Sequence, residues 1–489
     1  MRSRWAIIIG CAAVLLGACG PGPVKRSAEQ ASSDAAFGWK TSTGRLEQGS
    51  LQVPVDYADP SKGTFTLNVV RRLATNPSKR IGSLLVNPGG PGFGGSELAQ
   101  RAEVIYSLDI LERFDIVGWD PRGTGLSEPH VDCITDYDHY YGEYDITPDN
   151  NAERKTIVDL AKEFAGACNA SNADILQYVG TNNSARDIDA VRRALGEDTI
   201  SYFGFSYGSV LGATWTTLFP DTVRAAVLDG AADPNADPVQ AAIQQSKGFE
   251  HTLTTFLAGC SANMDCPFYN NGAAEQAFDA LMLQLDEQPI PGRDGRPPLT
   301  RAMAITAVAQ GMYSSTLWPR LATVLSQAQA GDGSGLMGLY DQYYGRLADG
   351  TYGNELEAFQ VITCMDSPTR LTVQQEDDAS ELYRQASPRL APGTTGAYGC
   401  VFFPPSVNPR MAVTGAGAGP ILVMGTTGDA ATPLDSTRAM AATLDDGRLV
   451  IVTADQHTGY NVNQCSRETI DRYLIDPLTQ APKDGTTCS

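Results

Sequence analysis

Only four histidines stand in the 489 residues, His130, His139, His251 and His457, and no C-x-x-C pair occurs. A zinc site is built from closely spaced histidine, cysteine or carboxylate ligands. With so few of the first two, no metal and no other cofactor is expected. Positive charge is also scarce: 36 Lys and Arg against 56 Asp and Glu give a net charge of −20. A surface of that sign repels phosphate backbones, which excludes nucleic acid as a partner. Long apolar runs are missing after the first residues. With 42% apolar residues overall, the composition is that of a globular chain, neither disordered nor polytopic. No internal repeat is evident.

The exception to the missing apolar runs is Trp5 to Leu16, which follows Arg2 and Arg4. It is too short to span a bilayer comfortably, and residues 1–18 read as a secretory signal peptide. The stretch Leu16-Gly17-Ala18-Cys19 resembles a bacterial lipobox. Cys19 is then the first mature residue and the site of lipid attachment. The protein is expected on the outer face of the cell membrane, with plain secretion as the alternative. Residues 19–36 form a Gly-, Pro- and Ser-containing tether. Of ten cysteines, eight remain after Cys11 and Cys19 are set aside. An even number outside the cytoplasm implies disulfides. Pairing of sequence neighbours (133–168, 260–266, 364–400, 465–488) closes each loop within one region.

The stretch that carries chemistry is Ile200 to Ser209. Ile200, Tyr202, Phe203 and Phe205 suit a buried strand. Gly204-Phe205-Ser206-Tyr207-Gly208 is a G-x-S-x-G turn, and a helix can run on to Pro220. Strand, sharp turn and helix make a nucleophile elbow with Ser206 at its tip. The continuous apolar run Gly82 to Asn87 reads as a central strand. It ends in Pro88-Gly89-Gly90-Pro91-Gly92, where backbone amides can approach a ligand. Strands also fit Leu51–Asp56, Thr64–Val70, Phe114–Trp119, Val223–Asp229, Pro420–Gly425 and Arg448–Val452, the last of the chain. Arg122 is expected to pair with Asp120 or brace the loops around it, as scaffolding. Alternating strands and helices imply an α/β fold, a mainly parallel sheet with helices on both faces. Its first part spans 37–238. A mostly helical cap is inserted at 239–415, stapled by its four cysteines, and the core resumes over 416–489.

A serine hydroxyl needs a base, and the base needs an orienting carboxylate. On an elbow of this kind the chain order is Ser, acid, His. His457 alone lies late enough. Asp429, just past the Ile421–Gly425 strand, is the preferred acid over Asp229, which ends the preceding core strand and suits turn capping. Ser206, Asp429 and His457 are therefore the candidate triad. The amides of Gly90 and Tyr207 are the candidate oxyanion donors.

Asn87-Pro88-Gly89-Gly90-Pro91-Gly92 resembles the H-G-G-P-G loop of prolyl aminopeptidases. Asp120-Pro121-Arg122-Gly123-Thr124-Gly125-Leu126-Ser127 resembles their D-x-R-G-x-G-x-S segment. With the elbow, the Asp429 turn and the late histidine, the similarity covers essentially the whole mature chain. It points to the tripeptidyl-aminopeptidase-like branch of the α/β-hydrolases. Two departures stand out: Asn87 replaces a histidine, and Gln456-His457-Thr458-Gly459 replaces G-H-G. The resemblance implies a serine exopeptidase that binds a free peptide N-terminus with cap acids, for which Glu355, Glu357 and Asp366 are candidates. An esterase acting on cell-envelope or small esters is the alternative, since the same triad serves both.

Overall fold

The computed structural model describes residues 35–148, 150–391 and 398–489. The signal peptide, most of the tether and Cys19 lie outside these residues. The described residues form a ten-stranded sheet. Its strands are β1 (Lys40–Thr43), β2 (Leu46–Pro54), β3 (Thr64–Arg72), β4 (Gly82–Asn87) and β5 (Phe114–Trp119), then β6 (Ile200–Phe205), β7 (Val223–Asp229), β8 (Ile421–Thr426), β9 (Gly447–Val452) and β10 (Thr486–Cys488). The spatial order is β1-β2-β3-β5-β4-β6-β7-β8-β9-β10. Pairing is antiparallel from β1 to β5 and parallel from there on.

The period-2 geometry of a strand sends neighbouring side chains to opposite faces. Leu85, Val117, Tyr202, Ala226, Leu228 and Val423 join one buried cluster, under helices Thr181–Leu195 and Tyr207–Leu218. Leu84, Val86, Ile116, Phe203, Val227 and Met424 join the other, under helices Leu108–Arg113 and Gln464–Ile475. Every residue of β4, β5 and β8 is buried, as strands covered on both sides must be.

Between β7 and β8 the described residues hold helices and no strand of the sheet. Helix Pro238–Ala262 opens this insertion. Asp237 and Gln240 form a capping box around its first turn, and Pro238 occupies the position where a missing N–H costs nothing. The four disulfides join Cys133–Cys168, Cys260–Cys266, Cys364–Cys400 and Cys465–Cys488, the neighbour pairing expected. Two strands escape the sequence reading: β1, an exposed edge strand paired with β2, and β10. β10 adds to the sheet beyond β9, and Thr453 N–H reaches Cys488 O at 2.9 Å. Three residues are too few to show a period, and the Cys465 disulfide supplies the anchor that hydropathy does not.

Arg122 is fully buried and braces the fold, but its carboxylate partner is Asp187 rather than Asp120. Its five donors go to Asp187 twice (2.7 and 2.6 Å) and to the carbonyls of Val55, Tyr178 and Pro54. Asp120 instead accepts from Asn68, Ser96 and Leu126. Replacing Arg122 by Met strands the Asp187 charge without a counter-ion. We expect a loss of about 3–5 kcal/mol in urea unfolding, with little change in activity per folded molecule.

Candidate active site

The elbow is built as its glycines require. A methyl at Gly204 would lie 2.3 Å from Gly208 O, and one at Gly208 would lie 2.8 Å from Asn87 Oδ1. Ser206 sits between them at φ 56°, ψ −124°, a conformation a non-glycine residue adopts only when its surroundings impose it. Ser206 N–H is held by Asp229 O at 2.8 Å. The side chain thus stands at the N-terminus of helix Tyr207–Leu218, whose dipole favours negative charge forming there.

The glycine loop after β4 closes against this corner. A methyl at Gly89 would meet Phe205 O at 2.6 Å and Tyr207 N at 3.1 Å. Gly90 has φ +104°. Neither its amide nor that of Tyr207, the first residue of its helix, donates to an acceptor among the described residues. Two free amides beside a serine are what an oxyanion hole consists of. The Tyr207 side chain is anchored away from the site, its hydroxyl bonded to Thr181 Oγ1.

His457 and Asp429 meet as expected. Nδ1 of His457 lies 2.9 Å from both carboxylate oxygens of Asp429, whose side chain is fully buried. Asp429 Oδ1 also accepts from Ala431 N and Thr432 N at 3.0 and 2.9 Å. Oδ2 accepts from Thr458 N at 3.2 Å. With its oxygens fixed by amides, the carboxylate favours the neutral imidazole tautomer that carries its proton on Nδ1 and leaves Nε2 bare. Burial disfavours the imidazolium, but the charge and hydrogen bond of Asp429, helped by Asp229, outweigh it and raise the His457 pKa above its ordinary value. The Tyr313 ring stands edge-on to the imidazole at 5.6 Å, and Tyr313 O accepts His457 N–H at 2.8 Å.

Asp229 is not the acid partner. Its carboxylate takes the amides of Gly459 and Tyr460 at 2.7 and 2.9 Å and makes no bond to the imidazole ring. Ser206 and His457 flank the same corner. The amide of Ser206 rests on Asp229 O, and a methyl at Gly230 would be 3.1 Å from His457 Cε1. No hydrogen bond joins Ser206 Oγ to the imidazole among the described residues. Such bonds are often long before substrate closes the site.

Ser206 and Gly90 open into a cavity of about 110 Å³. Its walls are Phe249, Tyr313, Tyr343, Tyr344 and Phe359, with Gln245, Thr306, Ala309 and Ala431, and no charged side chain lines it. Most of these aromatics come from the inserted helices. The Ser-acid-His order could not have revealed them.

The three cap acids part company. Glu357 is buried with its acceptors spent: it binds the amides of Cys133 and Ile134, and Tyr137 Oη–H at 2.9 Å. Burial pushes its carboxyl up to about 7. Asp366 is half-buried and holds Thr181 through its amide at 2.7 Å and its hydroxyl. Through these bonds both residues tie the inserted helix to the core. Glu355 differs. Among the described residues its carboxylate has no partner beyond its own backbone, and burial, with the charges of Glu97 and Asp120 nearby, raises its pKa. It opens helix Glu355–Asp366, whose Phe359 lines the cavity. A methyl at Gly92 would lie 2.1 Å from Glu355 O, which places this residue against the glycine loop.

The sequence profile of the alpha/beta hydrolase fold matches residues 82–463. The chain is 35% identical over 458 residues to serine protease Hip1 of Mycobacterium tuberculosis, covering 90% of this chain and 86% of that protein. It is 36% identical to carboxylesterase B of the same organism, covering 87% and 84%. It is 30% identical to tripeptidyl aminopeptidase of Streptomyces lividans, covering 89% and 82%. The elbow, the buried acid–histidine pair and these similarities over most of each chain together make the chain a hydrolase that belongs to the α/β-hydrolase family.

Proposed function

We propose that this protein is an exported serine aminopeptidase that removes short peptides from free N-termini through an acyl-enzyme. The observation that carries the reading is Glu355, whose backbone packs on the glycine loop of a Ser206 cavity roofed by inserted helices and whose carboxylate bonds no other residue's side chain among the described residues. Ser206 Oγ attacks the scissile carbonyl while His457 Nε2 takes its proton, and Asp429 stabilises the imidazolium. The amides of Gly90 and Tyr207 receive the oxyanion. The tetrahedral adduct collapses as His457 hands the proton to the leaving amine. Water, deprotonated by the same imidazole, then releases the peptide acid and restores Ser206. No step calls for a metal or cofactor. Four disulfides support an extracytoplasmic location, and lipidation at Cys19 would tether the enzyme to the membrane face.

An α-amino group has a pKa near 8 and is mostly cationic at neutral pH. We assign its recognition to Glu355, which opens the helix next to the glycine loop, since the cavity lining itself carries no charged side chain. Tripeptide p-nitroanilides with free N-termini should be cleaved with kcat/KM about 10²-fold above their N-acetylated forms. Glu355→Gln should bring that ratio close to one by raising KM for the free peptides. A preference for acetylated peptides, or turnover of p-nitrophenyl esters alone, overturns the aminopeptidase reading. The latter outcome favours an esterase, the second reading, which the uncharged aromatic cavity and the likeness to a carboxylesterase support.

A further inference from the structure

We propose that Asp229 is a positioning residue that sets nucleophile and base relative to one another, its carbonyl fixing Ser206 and its carboxylate clamping the turn that carries His457. The inference rests on the serine-hydrolase reading above and adds a residue outside the triad.

The geometry is a string of pinned amides. His457 N–H goes to Tyr313 O at 2.8 Å and Thr458 N–H to Asp429 Oδ2 at 3.2 Å. Gly459 N–H and Tyr460 N–H then go to the two oxygens of Asp229 at 2.7 and 2.9 Å. Three successive amides are thus shared between two carboxylates that end neighbouring parallel strands, β7 and just beyond β8. Inside this string Thr458 holds φ +70°, which a β-branched residue adopts only under constraint. The clamp supplies that constraint. Without it Thr458 would relax to an extended conformation and carry the imidazole away from Ser206. The same residue, through its carbonyl, receives Ser206 N–H at 2.8 Å, so elbow and histidine turn share one support.

Asp229 is fully buried and has no cationic side chain bonded to it. Burial, only partly offset by the two amides and His457, pushes its carboxyl up to about 7, with Asp429 adding to the rise. The ionised groups that face His457 are therefore Asp429 and, when deprotonated, Asp229.

The test is Asp229→Asn. The variant keeps size but offers one acceptor to two amides, and its NH₂ opposes the other. Steady-state rates on whichever chromogenic substrate the wild type turns over are normalised to sites titrated by a fluorophosphonate. We expect kcat to fall about 10²-fold with KM within about twofold. Adding Thr458→Gly, which makes a positive φ free of strain, should recover part of the lost kcat. An unchanged kcat or a further loss in the double variant overturns the proposal. If Asp229→Asn yields no folded protein, Asp229→Glu decides. A carboxylate displaced by one methylene should lower kcat, and wild-type kcat there overturns the clamp. A wild type that turns over no ester or peptide defeats the hydrolase reading itself, a separate result.

Discussion

Ser206→Ala should lower kcat by about 10⁶-fold, with KM for tripeptide substrates unchanged within a few-fold. The serine is the only atom donor to the acyl-enzyme in the proposed reaction. The remaining machinery, two free amides and the cavity, can still polarise and hold a carbonyl. That residue of catalysis over water, about 10³–10⁴-fold, is what the variant should retain. The exchange is mild for the fold. Alanine at this position inherits the same strained backbone, and the backbone amide keeps its bond to Asp229 O. Unfolding curves should therefore superimpose on those of the wild type. The decisive measurement pairs single-turnover kinetics with mass spectrometry. Wild type trapped with a slow ester should gain the acyl mass on the peptide containing residue 206, and the variant should not. Activity surviving in Ser206→Ala would remove the nucleophile from the mechanism.

Asp429→Asn should cost about 10⁴-fold in kcat, by reversing the imidazole rather than by removing it. One carboxylate oxygen serves Ala431 and Thr432, so the amide oxygen of the substituted side chain has its place fixed there. Its NH₂ must then face His457 Nδ1 and Thr458 N–H. Nδ1 becomes an acceptor, the proton moves to Nε2, and the base can no longer take the serine proton. The variant also loses the charge that raises the His457 pKa. In the wild type the imidazole must be neutral to work, so kcat/KM falls as pH drops through that raised value, above the usual 6.5. In Asp429→Asn the acid limb should move to lower pH. A limb that stays put would take Asp429 out of contact with the reacting imidazole.

The strand positions and the Asp429–His457 pairing were legible because each rests on a local or ordered signal. β4 and β8 are continuous apolar runs, and with four histidines the late base has no competitor. Glu357 and Asp366 could not be sorted from Glu355 in the same way. Their partners, Cys133, Ile134, Tyr137 and Thr181, lie some 185 to 224 residues away, and nothing near a carboxylate in sequence records which distant amide will reach it. Arg122 shows the same limit over a shorter span. Asp120 is two residues off, yet the buried ion pair forms with Asp187, 65 positions on, because that helix packs against the β2 end. Asp229 was weighed as the acid from its place at a strand end. The place is right for touching the histidine turn, but only the fold shows that it grips the backbone and not the ring.

The inserted helices leave the sheet after β7 and the chain re-enters it at β8, and these two strands lie side by side, with Ala226 opposite Ile421 and Asp229 opposite Met424. Departure and return share a single seam. An insertion hung from such a seam can lengthen, shorten or be exchanged without moving the register on either side. A change in what the lobe admits can thus be made while the chemistry beneath stays as it was.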